Sequence, residues 1–317
     1  MELNGLDIMV TGGAGFIGSH LVDRLIKMGN HVIVYDNFDD YYIGKEDNIQ
    51  NHLDDSKFTL VKLDILDYDT LLGAMNKIDI VFHLAAQAGV RYSQEYPIKT
   101  NTVNTTGTLN VLRAAKQNKT KKVVFASSSS VCGAPQYLPV DEKHPTNPVS
   151  IYGASKLVGE KYCQILNVST IILRYHTVYG PRQRPKMAIH KWIRGIFNDE
   201  PPVIYGDGEQ TRDFTYVDDI IDGTLKSAET EGIEKEIFNL GSGSNVSVNT
   251  VIELLLKLTN KADIKPIYTQ PKVGDVSHTH ADISKARDLL GYNPKVTFES
   301  GIRQFIEWYK SHSQITR

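Results

Sequence analysis

A glycine-rich segment near the N-terminus constrains the fold more than any other feature of the sequence. The residues GGAGFIG space Gly12, Gly15 and Gly18 at three-residue intervals directly after an apolar run, and a helical pattern follows from Ser19 to Met28. Glycines at a strand-to-helix turn let the backbone approach a pyrophosphate, and the helix N-terminus offers unpaired N–H groups with partial positive charge. The segment therefore predicts the first βα unit of a dinucleotide-binding sheet.

Short apolar runs rich in β-branched residues recur along the first half of the chain, with helical patterns between them. The runs are Asp7–Thr11, His31–Tyr35, Thr59–Lys62, Ile78–His83, Lys122–Ala126 and Ser169–Arg174. Such alternation is typical of a parallel sheet with helices on both faces, and 41% hydrophobic residues in a chain of 317 suffice for its core. We predict an α/β fold, a Rossmann-type doubly wound parallel sheet with a smaller mixed α/β C-terminal substrate lobe.

The regular alternation weakens after Gly180, where proline and glycine become frequent. We therefore assign residues 1–180 to a dinucleotide-binding domain and residues 181–317 mainly to a substrate-binding lobe. The chain is expected to return to the main sheet near residues 210–245, with EIFNLGSG (236–243) as the candidate strand.

The charge balance and the cysteine content limit the class of partner. The chain has 35 basic and 37 acidic residues, a formal charge of -2, and therefore no broad basic field for nucleic acid. Its only cysteines are Cys132 and Cys163, no apolar run approaches the length of about 18 residues that a membrane span needs, and the N-terminus lacks the pattern of a signal peptide. We predict a soluble, reduced, cytoplasmic protein without a nucleic-acid or membrane partner.

A carboxylate ends the second apolar run, about 20 residues beyond the glycines, where dinucleotide-binding folds hold the ribose. Asp36 at this position would accept hydrogen bonds from ribose hydroxyls and would repel a 2′-phosphate, so NAD is predicted in preference to NADP. Asp64, after the third run, is a candidate for the adenine edge, although an aspartate at a strand end can equally be a solvated surface residue.

The sequence YGASK, residues 152–156, opens a long helical pattern. Tyr152 and Lys156 are separated by one helical turn and share a face of this helix. A tyrosine with its ordinary pKa of about 10 is a poor base, but a neighbouring ammonium and a cationic nicotinamide ring would stabilise its phenolate. The pair would then remove a proton from a sugar hydroxyl.

Five motifs together resemble an extended short-chain dehydrogenase/reductase of the NAD-dependent nucleotide-sugar epimerase/dehydratase family. They are TGGAGFIG, HLAAQAGVRYS, YGASK, YGPRQRP and YGDGEQTRDFTYVDD, and the resemblance runs nearly from end to end. It is strongest for UDP-glucuronate and UDP-glucose 4-epimerases. The resemblance implies an isomerase that binds NAD and acts on a UDP-sugar.

The resemblance adds a third member to the catalytic pair. In that family a serine or threonine lies three residues before the valine of the serine-rich stretch, and here the position is Ser128. Tyr152 would take the 4-hydroxyl proton with the help of Ser128 while the C4 hydride passes to NAD. Return of the hydride to the other face of the 4-keto sugar would invert C4.

The resemblance also implies which residues form the two ligand sites. The cofactor would contact Gly12, Gly15, Phe16, Ile17, Gly18, Asp36, Asn37, Asp64, Ile65, Leu84, Ala85, Ala86, Asn104, Tyr152, Lys156 and Tyr175. The UDP-sugar would contact Arg91, Ser129, Ser130, Thr177, Arg184, Lys191, Tyr205, Arg212 and Asp275. Among these, Arg212 is the main candidate for the nucleotide, with a surface ion pair as the alternative role, and Arg91 and Arg184 are candidates for a sugar carboxylate or phosphate.

Two serines limit which reaction follows oxidation at C4. Ser129 and Ser130 stand where 4,6-dehydratases of the family carry an Asp-Glu pair and where UDP-glucuronate decarboxylases keep a glutamate at the second place. Carboxylate general acid–base catalysis contributes about 100- to 10,000-fold, so dehydration and decarboxylation are disfavoured. We predict a UDP-sugar 4-epimerase, with UDP-glucuronate, UDP-glucose and UDP-N-acetylglucosamine all open as substrates.

Cys132 and His176 depart from the aromatic residues usual in the family at these positions. They could transfer protons at C5 or C6, as in a dehydratase or isomerase acting on a UDP-N-acetylhexosamine. Alternatively, Cys132 is a packing residue and His176 a supporting hydrogen-bonded group.

A different class of alternative is an NAD(H)-binding regulator without turnover. His83 is interpreted as structural, and His278 with His280 has too few partners nearby for a metal site, so no metal is predicted.

The quaternary structure is predicted from the resemblance alone. Members of the family commonly dimerise through a four-helix bundle, and apolar positions in 106–115 and 157–166 allow such an interface. The resemblance therefore implies a homodimer, and a role in cell-surface polysaccharide biosynthesis.

Overall fold

The computed structural model describes residues 2–271 and 276–312 of the chain. Its strands are β1 Asp7–Thr11, β2 His31–Tyr35, β3 Phe58–Val61, β4 Ile80–His83, β5 Lys122–Ser128, β6 Thr170–Tyr175, β7 Thr177–Tyr179, β8 Val203–Tyr205, β9 Thr211–Arg212, β10 Phe214–Tyr216, β11 Ile237–Leu240, β12 Val246–Ser247 and β13 Ile267–Thr269. Its α-helices are α1 Phe16–Lys27, α2 Lys45–Ile49, α3 Tyr68–Ala74, α4 Val90–Glu95, α5 Pro97–Asn101, α6 Thr108–Gln117, α7 Ile151–Ile165, α8 Ala188–Phe197, α9 Val217–Glu229, α10 Val248–Leu258, α11 Ser284–Leu290 and α12 Phe298–His312. A π-helical turn, Thr102–Gly107, joins α5 to α6, and short 3₁₀ turns occupy Gln50–His52 and Ser129–Val131.

Seven parallel strands form the central sheet, in the order β3-β2-β1-β4-β5-β6-β11. The chain builds outward from β1 to β3 on one side and then from β4 to β6 on the other. The order reverses between β1 and β4, and ligands of such sheets bind in the crevice outside the carboxyl ends of the strands at this point. The predicted Rossmann-type doubly wound sheet is confirmed.

Alternate residues of each strand enter one of two apolar cores, one on each face of the sheet. Ile8 and Val10 of β1 pack in the core that also holds Leu21 of α1, whereas Met9 lies in the core that holds Val111 of α6. Because strands of this kind are buried on both faces, their sequences are continuously apolar. This burial explains why the apolar runs predicted the strands: β1 and β2 have the predicted bounds, and β3, β4 and β6 differ by one or two residues.

β5 extends two residues beyond its predicted end. Its pairing with β6 continues through Ser127 and Ser128, and Ser128 lies opposite Tyr175. Both serines are buried. The first two hydroxyls of the serine-rich stretch therefore belong to the sheet rather than to a loop.

The C-terminal part of the chain adds short strands and helices around the carboxyl edge of the sheet. β7 pairs with β10, β8 with β13 and β9 with β12, each as a two-stranded unit. β11 lies inside the segment predicted to return to the main sheet and pairs with β6 there. The division of the chain into two domains stays a prediction. Within the described residues, none of the helices combines the length and the apolar character needed to cross a bilayer.

Close contact between α7 and β5 depends on a glycine. An added Cβ at Gly159 would lie 2.5 Å from Cζ of Phe125, which is fully buried beneath the helix. At the start of α7, the Ser150 side chain accepts a hydrogen bond of 3.0 Å from the N–H of Gly153 and caps the helix. The cap and the glycine contact together set how far α7 stands from the sheet.

We predict that Gly159→Ala lowers the free energy of unfolding by about 1–3 kcal/mol, because the added methyl group overpacks the contact with Phe125. Urea denaturation followed by circular dichroism measures the change. The matched control is Gly73→Ala in α3, where nothing lies within 4 Å of the new Cβ. This control should raise the stability by about 0.5–1 kcal/mol through helix propensity, and equal effects of the two changes would contradict the packing argument.

Candidate active site

A cavity of about 440 Å³ opens at the carboxyl edge of the central sheet, around the reversal of strand order. The glycine turn between β1 and α1, the ends of β2, β4, β5 and β6, and the first turns of α7 contribute to its wall. The lining residues that the sequence predicted are Gly12, Gly15, Phe16, Ile17, Gly18, Asp36, Asn37, Asp64, Ile65, Leu84, Ala85, Ala86, Ser128, Ser129, Ser130, Tyr152, Lys156, Tyr175, Thr177 and Arg184. The fold thus brings together most of the predicted catalytic and cofactor residues.

The glycine turn has the shape that a dinucleotide needs. Gly12 has a φ of +71°, and a Cβ there would lie 2.7 Å from the backbone N of Ala85. A Cβ on Gly18 would collide with the carbonyl oxygen of Gly12, so this glycine allows the start of α1 to approach β1. The space left by the missing side chains lies at the N-terminus of α1, which favours a pyrophosphate. These residues fit the predicted cofactor.

Asp36 is held at the end of β2 by the backbone around it. Its Oδ2 accepts from the N–H of Ala14 at 3.2 Å, its Oδ1 accepts from the N–H of Phe38 at 2.9 Å, and Lys45 Nζ lies 3.7 Å from Oδ1. The carboxylate is therefore fixed in the wall of the cavity, where it can accept from ribose hydroxyls and repel a 2′-phosphate.

Asn104 is the one predicted cofactor residue that does not line the cavity among the described residues. It is buried, and its Oδ1 accepts from the N–H of Gln87 at 2.8 Å. Its amide N–H groups donate to the carbonyl of Gln87 and to Oγ of Ser155, at 3.1 and 2.9 Å. The side chain therefore ties the segment after β4 to α7 and supports the cavity wall. Its contact with the cofactor stays a prediction.

Ser128, Tyr152 and Lys156 meet where β5 ends beside the first turns of α7. The Ser128 hydroxyl lies near the phenolic oxygen of Tyr152 and lowers the pKa of that phenol, and the N–H of Ser130 donates to Ser128 Oγ at 3.2 Å. Lys156 Nζ donates to the carbonyl of Ala126 at 2.8 Å and lies 5.0 Å from the ring centroid of Phe125. The proposed catalytic trio is thus assembled in one place.

The protonation of this trio is dominated by burial. Burial raises the pKa of Tyr152, against the opposing effects of the nearby Ser128 hydroxyl and the charge of Arg184. Burial also lowers the pKa of Lys156 to about 8. Ser128 and Arg184 lower the pKa of Tyr152, and Lys156 Nζ is hydrogen-bonded to a main-chain carbonyl. Stabilisation of the phenolate by the lysine ammonium stays a prediction.

A buried ion pair lies directly behind the trio. Arg174 of β6 makes two hydrogen bonds of 2.9 Å to the carboxylate of Glu160 in α7, and the two side chains are only 3% and 1% exposed. Ser127 of β5 donates to the same carboxylate at 2.6 Å. The three residues fix α7, and therefore Tyr152, against two neighbouring strands.

The predicted substrate residues fall into two groups. Ser129, Ser130, Thr177 and Arg184 line the cavity, and the Arg184 guanidinium donates to the carbonyl of Ala88 at 2.6 Å. Arg91, Lys191, Tyr205 and Arg212 do not line it among the described residues, although the Arg91 guanidinium lies 5.2 Å from the centroid of the Tyr205 ring. Arg212 Nη1 donates to the carbonyls of Thr211 and Ser277 at 2.8 and 3.2 Å. Asp275 lies outside the described residues.

The sequence analysis missed a segment that contributes to the cavity wall after β2. Tyr41, Tyr42 and Lys45 all line the cavity, as do Gln87 and Met187 from elsewhere in the chain. The Tyr42 hydroxyl accepts from the N–H of Phe16, the first residue of α1, at 3.0 Å, and burial raises the pKa of Tyr42 to about 12. The signal available in the sequence was a pair of adjacent tyrosines five residues past the ribose-binding aspartate.

Cys132 and His83 are both buried among side chains of the protein, in surroundings that fit a structural role. Cys132 is 3% exposed and packs with Val131 and Val140, and burial raises the pKa of its thiol. His83 lies between the hydroxyls of Thr11 and Thr108, at 2.7 and 3.0 Å, and burial lowers its pKa to about 3. The part of the chain that the structure describes holds no group of three His, Cys, Asp or Glu side chains arranged to bind a metal.

Comparison with known proteins gives matches over nearly the whole chain. The family model of the NAD dependent epimerase/dehydratase family matches residues 8–241. A putative UDP-glucose 4-epimerase of Methanocaldococcus jannaschii is 40% identical over 97% of this chain and 99% of its own length.

Two solved structures share the fold closely. The UDP-glucuronic acid 4-epimerase of Bacillus cereus, in complex with UDP-glucuronic acid and NAD, is 39% identical with a TM-score of 0.90, covering 96% of this chain and 99% of that one. The UDP-N-acetylglucosamine 4-epimerase of Methanobrevibacter ruminantium M1, in complex with UDP-N-acetylmuramic acid, is 36% identical with a TM-score of 0.91, covering 98% and 99%.

We predict that Glu160→Gln lowers the free energy of unfolding by about 3–5 kcal/mol, because it leaves the Arg174 charge buried without its counter-charge. Chemical denaturation measures the loss. The matched control is Glu299→Gln, which removes the same charge from the exposed pair with Arg303 on α12. The control should leave the denaturation midpoint unchanged, and a comparable loss in both variants would refute a special role for the buried pair.

Proposed function

The chain belongs to the NAD dependent epimerase/dehydratase family, and from that premise we propose that it is an NAD-dependent UDP-sugar 4-epimerase that acts through a transient 4-keto sugar. The observation that carries this function is that Ser128, Tyr152 and Lys156 lie together in the wall of a cavity shaped for a dinucleotide. Relatives that cover almost the entire chain are 4-epimerases of UDP-sugars, which are isomerases.

The cofactor is NAD, held by the glycine turn, the Asp36 carboxylate and the residues that follow β3 and β4. When bound, it supplies a hydride acceptor at C4 of the sugar and a positive charge that favours the phenolate of Tyr152. Lys156 holds the carbonyl of Ala126 in place beneath the reacting groups.

Proton transfer at O4 is the part of the reaction that the chain's own residues perform. Tyr152 accepts the proton of the 4-hydroxyl, and the Ser128 hydroxyl beside its phenolic oxygen relays that proton from O4 to Tyr152. After the hydride returns to the opposite face, Tyr152 gives the proton back to O4. Inversion requires the hexose to turn inside the cavity while the nucleotide stays bound.

The residues around the presumed hexose support epimerisation and not elimination. Ser129 and Ser130 line the cavity and offer hydroxyls where dehydration needs an acid and a base. Cys132 does not line it among the described residues, and burial keeps its thiol protonated by raising the pKa. Proton transfer at C5 or C6 by this cysteine is therefore unsupported.

The nucleotide end of the substrate is proposed to lie between the main cavity and the C-terminal part of the chain. The contact of Arg91 with Tyr205 supports this location, because it brings two of the predicted substrate residues together from distant parts of the sequence. Arg212, Lys191 and Asp275 remain proposed contacts of the UDP group. Arg184, inside the cavity, is proposed to contact the sugar or its phosphates.

We further propose a homodimer in the cytoplasm that serves cell-surface polysaccharide biosynthesis. Apolar side chains of α6 such as Val111 and Leu112 are buried within the protomer, so this helix exposes little apolar surface to a partner subunit. Ile98 of α5 and Ile165 of α7 are 79% and 73% exposed, and these support a helical interface at that edge. The proposed biosynthetic role is based on the family resemblance. One relative, named Protein CapI, from Staphylococcus aureus, is 34% identical over 96% of the chain.

Tyr152→Phe should lower kcat by about 100- to 10,000-fold, because the substitution removes the group that accepts the 4-hydroxyl proton. The assay mixes purified protein with each UDP-sugar and follows absorbance at 340 nm for transient reduction of bound NAD. Wild-type protein should show this signal and the variant should not. A complete lack of signal from wild-type protein with every UDP-sugar would indicate a binding protein without turnover.

Product analysis by NMR in D₂O separates epimerisation from chemistry at C5. The expected product of UDP-glucose, UDP-glucuronate or UDP-N-acetylglucosamine is the C4 epimer without deuterium, because a hydride carried by NAD would return to C4 without exchanging with solvent. Deuterium at C5 would overturn simple C4 epimerisation.

A further inference from the structure

One buried histidine behind the cavity has a hydrogen-bond partner for only one of its two ring nitrogens. His190 of α8 is fully buried, and its Nδ1 lies 2.6 Å from the carbonyl oxygen of Gln183. Because a carbonyl can only accept, Nδ1 carries the proton and donates. The other nitrogen, Nε2, has no hydrogen-bond partner among the described residues. A buried polar atom without a partner costs free energy, so this histidine must contribute something that an apolar side chain could not.

The surroundings of the ring would suit an apolar side chain equally well. The rings of Phe305 and Tyr309 in α12 meet the imidazole nearly edge-on, with centroids 5.7 Å away in each case. Burial lowers the pKa of His190 to about 4, against the effect of its bond to the Gln183 carbonyl, so the imidazole is neutral. A phenylalanine could take the same place among the aromatic rings. What the histidine adds is therefore the N–H that Gln183 accepts.

Gln183 is hydrogen-bonded at each of its polar atoms. Its carbonyl accepts from His190 Nδ1, and its side-chain Oε1 accepts from the backbone N–H of His190 at 3.3 Å. Its Nε2 donates to the carbonyl of Val178 at 3.0 Å, and its own N–H donates to the carbonyl of Gly180 at 3.2 Å. These bonds fix the backbone immediately before Arg184.

Arg184 follows directly and extends into the cavity. Its guanidinium donates to the carbonyl of Ala88 at 2.6 Å and to the Tyr41 hydroxyl at 3.2 Å, and both residues line the cavity. The side chain therefore reaches from the loop after β7 to the segments that follow β2 and β4. The place of the guanidinium in the cavity depends on where the loop holds the backbone of Arg184.

We propose that His190 is a positioning residue, which holds Gln183 and thereby places the Arg184 guanidinium for binding of the UDP-sugar. His190 itself does not line the cavity among the described residues, and it acts only through the loop. The proposal rests on the proposed 4-epimerase function, in which Arg184 contacts the sugar or its phosphates, and adds the residue that fixes this contact.

His190→Phe tests the donor by itself, since the variant keeps an aromatic ring among those of α12. The substrates are UDP-glucose, UDP-glucuronate and UDP-N-acetylglucosamine. We expect KM to rise by about 3- to 10-fold, the effect of one net hydrogen bond, while kcat changes by less than about 2-fold. The temperature of thermal unfolding should change little, because removal of the unpaired Nε2 offsets the loss of the bond to Gln183.

His190→Asn is the matched control, because its side-chain amide can donate near the position of Nδ1 although the ring is lost. This variant should unfold at a lower temperature, owing to the lost packing, and should keep KM within about 2-fold of the wild-type value. If KM follows the loss of stability in the two variants, and not the loss of the donor, the positioning role is wrong.

A double-mutant cycle measures whether His190 acts through Arg184. Arg184→Ala should itself raise KM, and adding His190→Phe to this variant should raise it no further. Independent effects of the two substitutions would contradict the proposed route. If wild-type protein turns over none of the three UDP-sugars, the 4-epimerase function is refuted, and dissociation constants from calorimetry with the same UDP-sugars decide the role of His190 through the same cycle.

Discussion

The buried ion pair between Arg174 and Glu160 is the interaction on which the geometry of the site depends. It joins β6 to the helix that carries Tyr152 and Lys156, and Ser127 connects the same carboxylate to β5. A buried ion pair contributes little net stability, since the cost of desolvating both charges offsets their attraction. The pair instead fixes the orientation of the helix. Two hydrogen bonds from one guanidinium to one carboxylate form at a single rotation of the helix about its axis, whereas an apolar contact in the same place would tolerate several rotations.

The parallel sheet explains why the other functional groups converge. Carboxyl ends of parallel strands lie at one edge, so residues that are far apart in the sequence share a single cavity wall. Asp36 follows the end of β2, Ser128 ends β5, and Tyr175 ends β6. The central strands β4, β5 and β6 behind the site are buried on both faces. Burial accordingly dominates the protonation of Tyr152 and Lys156.

Local signals predicted the parts of the structure that local physics determines. The glycine turn, the apolar strands and the i, i+4 tyrosine and lysine all depend on neighbours within a few residues, and the fold matches them. Contacts made across long sequence separations were missed: Asn104 bonds Gln87 and Ser155, which are 17 and 51 residues away. The protonation of Tyr152 was likewise beyond the sequence, because burial is a property of the whole cavity wall and not of the YGASK motif.

The Tyr42 hydroxyl lies at the N-terminus of α1, where the pyrophosphate of the cofactor would bind. Its hydroxyl caps the first N–H of α1, so the anion-attracting end of that helix is met by a neutral oxygen from the same chain. A pyrophosphate at this helix end would therefore lie against the segment that carries Tyr42. In the proposed reaction the 4-keto sugar oxidises the nucleotide again, so the catalytic cycle would need no external oxidant or reductant.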